Sequence, residues 1–393
     1  MPASRRGLFR SLEAGLTTSG LPTISAADGT TAPGAGNGAP SSPPHPRVFG
    51  DFSEKTKKFL DLFESDWKPL NPQLRAVMRM IYAQLQGLGP PAEIPAAELR
   101  RVNQSLSFFL NAGAPVLPHI EERTIAVPSG RSRVRLYDPS GSSGSPAPAG
   151  TSDHAAPAAT AILIHGGGWV IGDIDTYDGF ARQIAARSGL RCLSIEYALA
   201  PEHPFPAPLD DCVAAVRWAA AEGAALGIDP QRIVLIGDSA GANLALGTCL
   251  ALRKAGERLV RGAALVYGAY SLDLDSPSAI ACGSGSYFLG KAEMTRYWYD
   301  YLPTQADREH PLAVPMLADL KGLPPLSISA CEFDPLRDDS ERLAERARAA
   351  GLDVEFRLWN GMIHGAVSLM GWVDDMAPEV DRIGAFLRRV TAG

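Results

Sequence analysis

Short apolar runs alternate with longer amphipathic stretches over most of this chain, from about residue 120 to its end. Runs rich in Val, Ile and Leu, bounded by turn residues, predict buried strands. The first two predicted strands are joined by a tight turn, so we expect that end of the sheet to be antiparallel. The predicted strands span residues 121–127, 131–137, 160–164, 191–197, 232–236, 262–267, 326–330 and 354–359.

Helical spacing of apolar residues marks the stretches between the later strands. Strands and helices that alternate in this way favour a mostly parallel sheet with helices on both faces, which is an α/β architecture. The predicted helices of this part of the chain span residues 176–188, 208–223, 240–254, 338–350 and 375–390.

Two intervals do not fit the alternation. Residues 52–110 carry apolar side chains at helical spacing, and they predict a group of N-terminal helices. The interval between residues 267 and 326 is too long for a simple connection and contains the aromatic sequence YWYDY at 297–301. We predict a helical insertion there, on the face of the sheet that carries the site. Packing and substrate contact both remain open as roles for its aromatic side chains.

Two further stretches are poor in large apolar residues. Residues 1–46 are rich in Gly, Ala, Pro, Ser and Thr, and residues 139–156 have a similar composition. Such segments cannot bury enough apolar surface to offset the entropy lost on ordering. We therefore predict a disordered N-terminal segment over 1–46 and a long loop over 139–156.

Composition excludes several classes of protein. With 46% hydrophobic and 20% charged residues in 393, the chain suits a globular protein with a large core. A net charge of −6 gives no electrostatic footprint for nucleic acid. No apolar stretch reaches the roughly 18 residues of a membrane span. The five cysteines are scattered without metal-ligand spacing, and we expect buried, reduced thiols in a cytosolic protein.

The first residues raise the question of export. Residues 4–9 read SRRGLF, which is similar to a twin-arginine export signal. The segment that follows should then be apolar, but it carries Arg10 and Glu13 and is rich in Thr, Ser and Gly. We therefore expect a cytoplasmic protein, with export as the alternative.

A candidate nucleophile lies at a predicted strand-to-helix turn. Residues 237–241 read GDSAG, directly after the predicted strand 232–236. Glycine at both edges suits a turn that is too sharp for side chains, and it holds Ser239 at the tip with a strained backbone and an exposed hydroxyl. The helix that follows directs amides and a positive dipole end toward a developing oxyanion. The sequence thus predicts a serine nucleophile.

A serine hydroxyl needs a base, which is usually a histidine oriented by a carboxylate. In one known chain order the acid and then the histidine follow the serine, and only His310 and His364 follow Ser239. His364 lies in the sequence GMIHG just past the last predicted strand, whereas His310 lies inside the insertion, a poorer position for a rigid base. We predict that His364 is the base.

The acid is expected at the end of the strand that precedes this histidine. Asp334 ends the turn after the predicted strand 326–330, and Pro335 stiffens the backbone beside it. Glu332 is a rival that lies closer to the strand body. Asp338 fits better as the N-cap or a first-turn acid of the next helix. We predict that Asp334 is the acid.

A glycine run follows another predicted strand. Residues 165–169 read HGGGW, and their backbone can approach a substrate closely and point its amides inward. A phosphate-binding loop is the alternative, but no Lys-Ser or Lys-Thr pair follows. We predict that this loop lends amides to a tetrahedral intermediate, with the Ala240 amide as a further donor. His165 precedes the serine, and we expect it to be a structural hydrogen-bonding residue.

Taken together, these motifs resemble those of the hormone-sensitive-lipase-like esterases, the bacterial family IV branch of the α/β-hydrolases. The resemblance covers residues 52–389. It rests on HGGGW at 165–169, EYALAPEHPFP at 196–206, GDSAG at 237–241, DPLRD at 334–338 and GMIHG at 361–365.

The resemblance implies an α/β-hydrolase fold, with an eight-stranded, mostly parallel sheet flanked by helices and covered by a helical cap. Residues 47–115 would form the N-terminal part of the cap, and residues 116–393 the catalytic domain with a cap insertion at about 271–312. It also implies a catalytic triad of Ser239, Asp334 and His364 and an oxyanion hole made by the backbone amides of Gly167, Gly168 and Ala240.

The same resemblance implies a serine carboxylesterase that cleaves short- to medium-chain esters without a cofactor or a metal. Its partner is then a small ester, and a homodimer through edge strands or cap contacts is an alternative to a monomer. An amidase or acyltransferase with the same triad stays open. A non-catalytic ligand receptor on this fold is a further alternative, but such receptors can lose the base, and His364 is present.

Overall fold

A computed structural model describes residues 52–140 and 157–392 of the chain. The predicted disordered segment, residues 1–46, lies outside the described residues. So do residues 141–156 of the predicted loop. All the predicted strands and helices fall within the described ranges.

One eight-stranded sheet forms the centre of the described structure, and it confirms the predicted α/β class. The strands pair in the order β1-β2-β4-β3-β5-β6-β7-β8. The pairs β1/β2 and β2/β4 are antiparallel, and all other pairs are parallel. The strands are β1 (His119–Val127), β2 (Gly130–Asp138), β3 (Ala158–Ile164), β4 (Arg191–Ile195), β5 (Ile228–Asp238), β6 (Val260–Val266), β7 (Leu326–Phe333) and β8 (Val354–Ile363).

The central strands are apolar on both faces, because helices cover both sides of the sheet. Ile162 and Leu235 point into one core, and Leu163 and Ile236 point into the other. This alternation within continuous apolar runs follows from the two-residue period of a strand. These strands could therefore be predicted from their apolar composition and length, because they lack the alternation of polar and apolar residues that marks a strand with one exposed face.

Helices pack on both faces, as predicted. On one face α6 (Asp178–Ser188) packs on α13 (Met376–Thr391), and on the other α7 (Ala207–Glu222) packs on α8 (Ala240–Lys254) beside α12 (Arg337–Ala349). The remaining helices are α1 (Glu54–Leu60), α2 (Glu64–Trp67), α3 (Pro72–Gln84), α4 (Ala96–Ser105), α5 (Ser107–Leu110), α9 (Pro277–Cys282), α10 (Lys291–Tyr301) and α11 (Gln305–Arg308).

The last two strands run further than the sequence predicts. Pairing of β7 with β8 continues through a register irregularity after Cys331 and ends at the pair Phe333 and Ile363. Both strands therefore carry the chain to the same edge of the sheet. The next residue of each is a predicted site residue, Asp334 or His364.

The N-terminal helices contact the insertion between β6 and β7. The indole N–H of Trp67 donates to the Ser286 carbonyl at 2.6 Å, and the Tyr82 hydroxyl donates to the Gly285 carbonyl at 2.7 Å. In return the Tyr287 hydroxyl donates to the Asp66 carbonyl at 2.9 Å. Two segments distant in sequence are thus joined into one layer.

Two sequence expectations about the whole chain bear on the described part. All five cysteines are buried and unpaired, as predicted. Among the helices at residues 52–140 and 157–392, none combines the length and the apolar character needed to cross a bilayer.

A buried ion pair ties β2 to β4 near the start of the parallel sheet. The Arg191 guanidinium Nε lies 2.9 Å from Asp138 Oδ2, and the two side chains are 2% and 1% exposed. Asp138 also accepts from the Ser140 amide at 2.8 Å. Removing one member of such a pair leaves the other charge buried without its opposite charge.

We therefore expect Arg191→Met to lower the free energy of unfolding by about 3–5 kcal/mol. Arg217→Met is the matched control: it breaks an ion pair with Glu257 whose arginine is 50% exposed, and it should cost at most about 1 kcal/mol. Urea denaturation of the two variants beside the wild type measures both values. Equal effects in the two variants would contradict the assignment.

Candidate active site

Ser239 stands at the tip of the turn between β5 and α8. Its backbone has φ 54° and ψ −122°, a region that a side chain rarely adopts. A Cβ on Gly237 would collide with the Gly241 carbonyl oxygen, and one on Gly241 would collide with the carbonyl oxygen of Ile164. Both glycines are therefore required by close approach of the backbone, and the predicted strained turn is present.

Ser239, His364 and Asp334 come together at the carboxyl edge of the sheet. His364 Nε2 lies 2.8 Å from Ser239 Oγ, and His364 Nδ1 lies 2.9 Å from Asp334 Oδ2. A carboxylate can only accept, so the proton of the neutral imidazole stays on Nδ1. Nε2 is then left free to accept the serine proton. The three residues predicted as a triad thus form a continuous hydrogen-bonded chain.

Asp334 is fixed at its position by the turn that follows β7. Its side chain is fully buried, and Oδ1 accepts from the Leu336 amide at 2.8 Å while Oδ2 faces the histidine. The rival Glu332 instead accepts from the Gly361 amide at 2.8 Å. Asp338 lies in the first turn of α12 and accepts from the Ser278 amide at 2.9 Å. Each rival carboxylate thus accepts a hydrogen bond from a backbone amide of another segment.

The other two candidate histidines lie in structural contacts. His310 Nδ1 accepts from the Leu312 amide at 3.2 Å, and its ring packs 5.0 Å from that of Phe205. His165 is fully buried, its Nδ1 donates to the Gly166 carbonyl at 2.8 Å, and its ring stacks on Tyr197 at 4.2 Å. Burial lowers the pKa of His165, which keeps its ring neutral.

The glycine loop after β3 lies against the same edge. Gly167 and Gly168 have φ of 111° and 60°, and added Cβ atoms would collide with the Ile171 carbonyl and the Tyr297 ring, respectively. The Gly167 carbonyl accepts from Ile171 and Val170 at 2.9 and 3.1 Å. Because N–H and C=O point in opposite directions in a trans peptide, the Gly168 amide points away from these donors.

Asp238, next to Ser239 in the chain, holds this loop in place. Its Oδ1 accepts from the Gly166 amide at 2.9 Å, and its Oδ2 accepts from the hydroxyls of Tyr177 and Tyr267 at 3.1 and 3.3 Å. Sequence reasoning missed this role, although the aspartate is the second residue of the GDSAG motif. Burial raises the pKa of Asp238 to about 6, while the nearby His364 and the three donors lower it.

Aromatic residues of α10 pack against the same loop. Trp169 stacks on Tyr301 at 4.5 Å and lies 4.5 Å from Trp298, and all three side chains are buried. Packing is therefore the role of Trp298 and Tyr301. The ring of Tyr297 faces differently, since it lies directly against the Cα of Gly168.

A family model described as alpha/beta hydrolase fold matches residues 161–368, which include the loop after β3, the serine turn, Asp334 and His364. The chain belongs to this family. Its motifs place it in the hormone-sensitive-lipase-like branch, as the sequence predicts.

Two relatives from one bacterium share about a third of their aligned residues with this chain. The chain is 37% identical over 232 residues to "Carboxylesterase NlhH" of Mycobacterium tuberculosis, a match that covers 58% of this chain and 72% of the relative. It is 33% identical over 283 residues to "Esterase LipI" of the same organism, covering 71% and 85%.

Solved structures give the same result. An ester hydrolase from the Lake Arreo metagenome, complexed with a bipyridine phosphonate derivative, superimposes with a TM-score of 0.74 at 33% identity. The match covers 82% of this chain and all of that one. An esterase from the archaeon Pyrobaculum calidifontis matches with a TM-score of 0.74 at 32% identity, covering 83% of this chain and all of that one.

The buried Asp238 gives the stability of this fold a defined pH dependence. Its pKa is about 6 in the folded chain and about 3.9 in an unfolded one. Between these values the folded state binds more protons than the unfolded state, so stability falls as pH rises through the window. The difference between the two pKa values corresponds to a loss of about 3 kcal/mol in the free energy of unfolding, and this loss is complete above pH 6.

Asp238→Asn removes this titration. We expect the variant to gain stability relative to the wild type by up to about 3 kcal/mol between pH 4 and pH 7, measured by urea denaturation at both pH values. Asp319→Asn, at an exposed turn, controls for the amide substitution and should follow the wild type. A constant difference between Asp238→Asn and the wild type at both pH values would refute the prediction.

Proposed function

We propose that this protein is a serine carboxylesterase that hydrolyses short- to medium-chain carboxylic esters through an acyl-enzyme on Ser239. One observation carries the proposal, the continuous hydrogen-bonded chain from Ser239 through His364 to the buried Asp334. The names of the relatives, which are a carboxylesterase and an esterase, support the reaction class. The preferred acyl length rests on the family resemblance alone.

In the acylation step, Ser239 Oγ attacks the ester carbonyl carbon while His364 Nε2 takes the serine proton. Asp334 orients the imidazole and stabilises the imidazolium that forms. The tetrahedral intermediate then collapses as the bond to the alcohol oxygen breaks. The same Nε2 gives its proton to that oxygen, so an alcohol leaves and the acyl group stays on the serine.

In the deacylation step, a water molecule takes the place of the alcohol. His364 removes a proton from this water as it attacks the acyl carbon, and then returns the proton to Ser239 Oγ. The products are a carboxylic acid and the free serine. No further group is needed to balance either step.

The negative charge of each tetrahedral intermediate needs preorganised donors. We propose the amides of Gly167, Gly168 and Ala240 for this role. Side chains at the two glycines would collide with the Ile171 carbonyl and the Tyr297 ring, so this loop conformation requires glycine. Ala240 begins α8, where free amides and the positive dipole end meet. The Asp238 contact with the Gly166 amide keeps this loop beside Ser239.

We further propose that the helices of residues 47–115 and the insertion at about 271–312 act together as a cap over this site. Their mutual hydrogen bonds through Trp67, Tyr82 and Tyr287 support a common role. The cytoplasmic location and the homodimer stay predictions.

The proposal predicts a large loss of activity in Ser239→Ala, at least about 10³-fold in kcat, because the nucleophile is removed. Hydrolysis of p-nitrophenyl esters from acetate to palmitate measures it. Ser105→Ala is the matched control, since it removes an exposed hydroxyl, and it should retain full activity. An unchanged rate in Ser239→Ala would contradict the assignment of the nucleophile.

The same series tests the substrate class. A peak at short acyl chains supports a carboxylesterase and measures the depth of the acyl pocket. No turnover of any ester by a protein that still reacts with a fluorophosphonate would point to the alternative, an amidase or acyltransferase with an active triad. A wild type that does not react with the fluorophosphonate would overturn the catalytic proposal altogether.

A further inference from the structure

A strained turn projects one aromatic residue of the insertion toward the site. Phe288 has φ 76°, and the Leu289 amide donates to the Tyr287 carbonyl at 3.0 Å, so Phe288 is the central residue of a γ-turn with positive φ. This form of the γ-turn is rare and strained for a bulky side chain. Strain of this kind persists only where the surroundings enforce it, and it concentrates at functional sites.

The N-terminal helices provide that enforcement. The Phe288 amide donates to the Tyr82 hydroxyl at 3.2 Å, and the same hydroxyl donates to the Gly285 carbonyl. Trp67 holds the Ser286 carbonyl, and the ring of Tyr287 stacks on that of Phe333 at 5.4 Å. Contacts on both sides of Phe288 therefore fix its backbone.

The side chain of Phe288 is not used for this packing. It is 40% exposed, whereas its neighbour Leu289 is 7% exposed. Its ring lies against Gly365, where an added Cβ would stand 3.2 and 3.4 Å from two ring carbons. Gly365 directly follows His364, whose Nε2 faces Ser239. The half-exposed ring thus lies against the residue that directly follows the histidine of the site.

Two aromatic residues of the insertion therefore lie against two different loops of the site. Tyr297 lies against Gly168, on the side of the glycine loop, and Phe288 lies against Gly365, on the side of the histidine. In acylation the leaving oxygen must reach His364 Nε2 to receive its proton. The alcohol half of the ester is consequently the part that comes nearest to the histidine side.

We propose that Phe288 is a specificity-determining residue for the alcohol half of the ester, and that its ring favours esters of aromatic and other bulky apolar alcohols. This inference rests on the proposed esterase function. The exposed ring offers apolar contact and edge or face packing to an aromatic alcohol, whereas a small alcohol would not reach it. The strained turn keeps the ring at this position before substrate binds.

The test compares two acetates that differ only in their alcohol, benzyl acetate and ethyl acetate. Phe288→Gly removes the ring and suits the positive φ, so the turn itself is retained. We expect kcat/KM for benzyl acetate to fall about tenfold, and kcat/KM for ethyl acetate to change less than about threefold. Both esters give the same acetyl-enzyme, so the ratio reports on acylation.

Two controls locate the effect. Tyr299→Ala removes another exposed aromatic ring, on α10 and 55% exposed, and it should leave the benzyl-to-ethyl ratio unchanged. Across p-nitrophenyl esters, which share one alcohol, Phe288→Gly should keep the acyl-length profile of the wild type. Phe288→Leu restores apolar bulk without a ring and should give an intermediate benzyl-to-ethyl ratio.

An equal fall for both acetates, or a changed acyl-length profile, would overturn the role of Phe288. Such a result would leave the esterase function intact, provided that the wild type turns over both esters and Ser239→Ala does not. A wild type without turnover of either acetate would instead refute the proposed function. The two failures are therefore distinguishable in one set of measurements.

Discussion

The close approach of the serine turn to the end of β3 is the constraint on which the rest of the site depends. The Cα of Gly241 lies so near the Ile164 carbonyl that no side chain fits between them. This contact sets α8 against the beginning of the glycine loop, and Asp238 then reaches the Gly166 amide. The position of the nucleophile relative to the loop thus follows from backbone packing.

Two buried carboxylates of the site serve different purposes. Asp334 faces the imidazole of His364 and fixes its tautomer, so its charge is compensated whenever the histidine takes up a proton. Asp238 accepts hydrogen bonds from one amide and two hydroxyls. Burial accordingly raises its pKa. Catalysis would use the first carboxylate, whereas the second organises the backbone around it.

Most of the fold and the three residues of the hydrogen-bonded chain could be predicted from sequence because local rules decide them. Continuous apolar runs mark strands covered on both faces, and the predicted bounds 240–254 coincide with α8. The role of Asp238 could not be predicted, since its partners Tyr177 and Tyr267 lie 61 and 29 residues away. The turn at Phe288 could not be predicted for the same reason, because the Tyr82 hydroxyl that fixes it lies 206 residues away in the sequence.

The hydrogen bond of Trp67 with Ser286 also joins two segments that are synthesised at different times. A ribosome completes the helix that carries Trp67 long before the carbonyl that satisfies its indole, which lies 219 residues later in the chain. Most strands of the sheet are thus synthesised between the helix that carries Trp67 and the insertion that it contacts. The indole hydrogen bond of Trp67 can therefore form only after β1 to β6 have been synthesised.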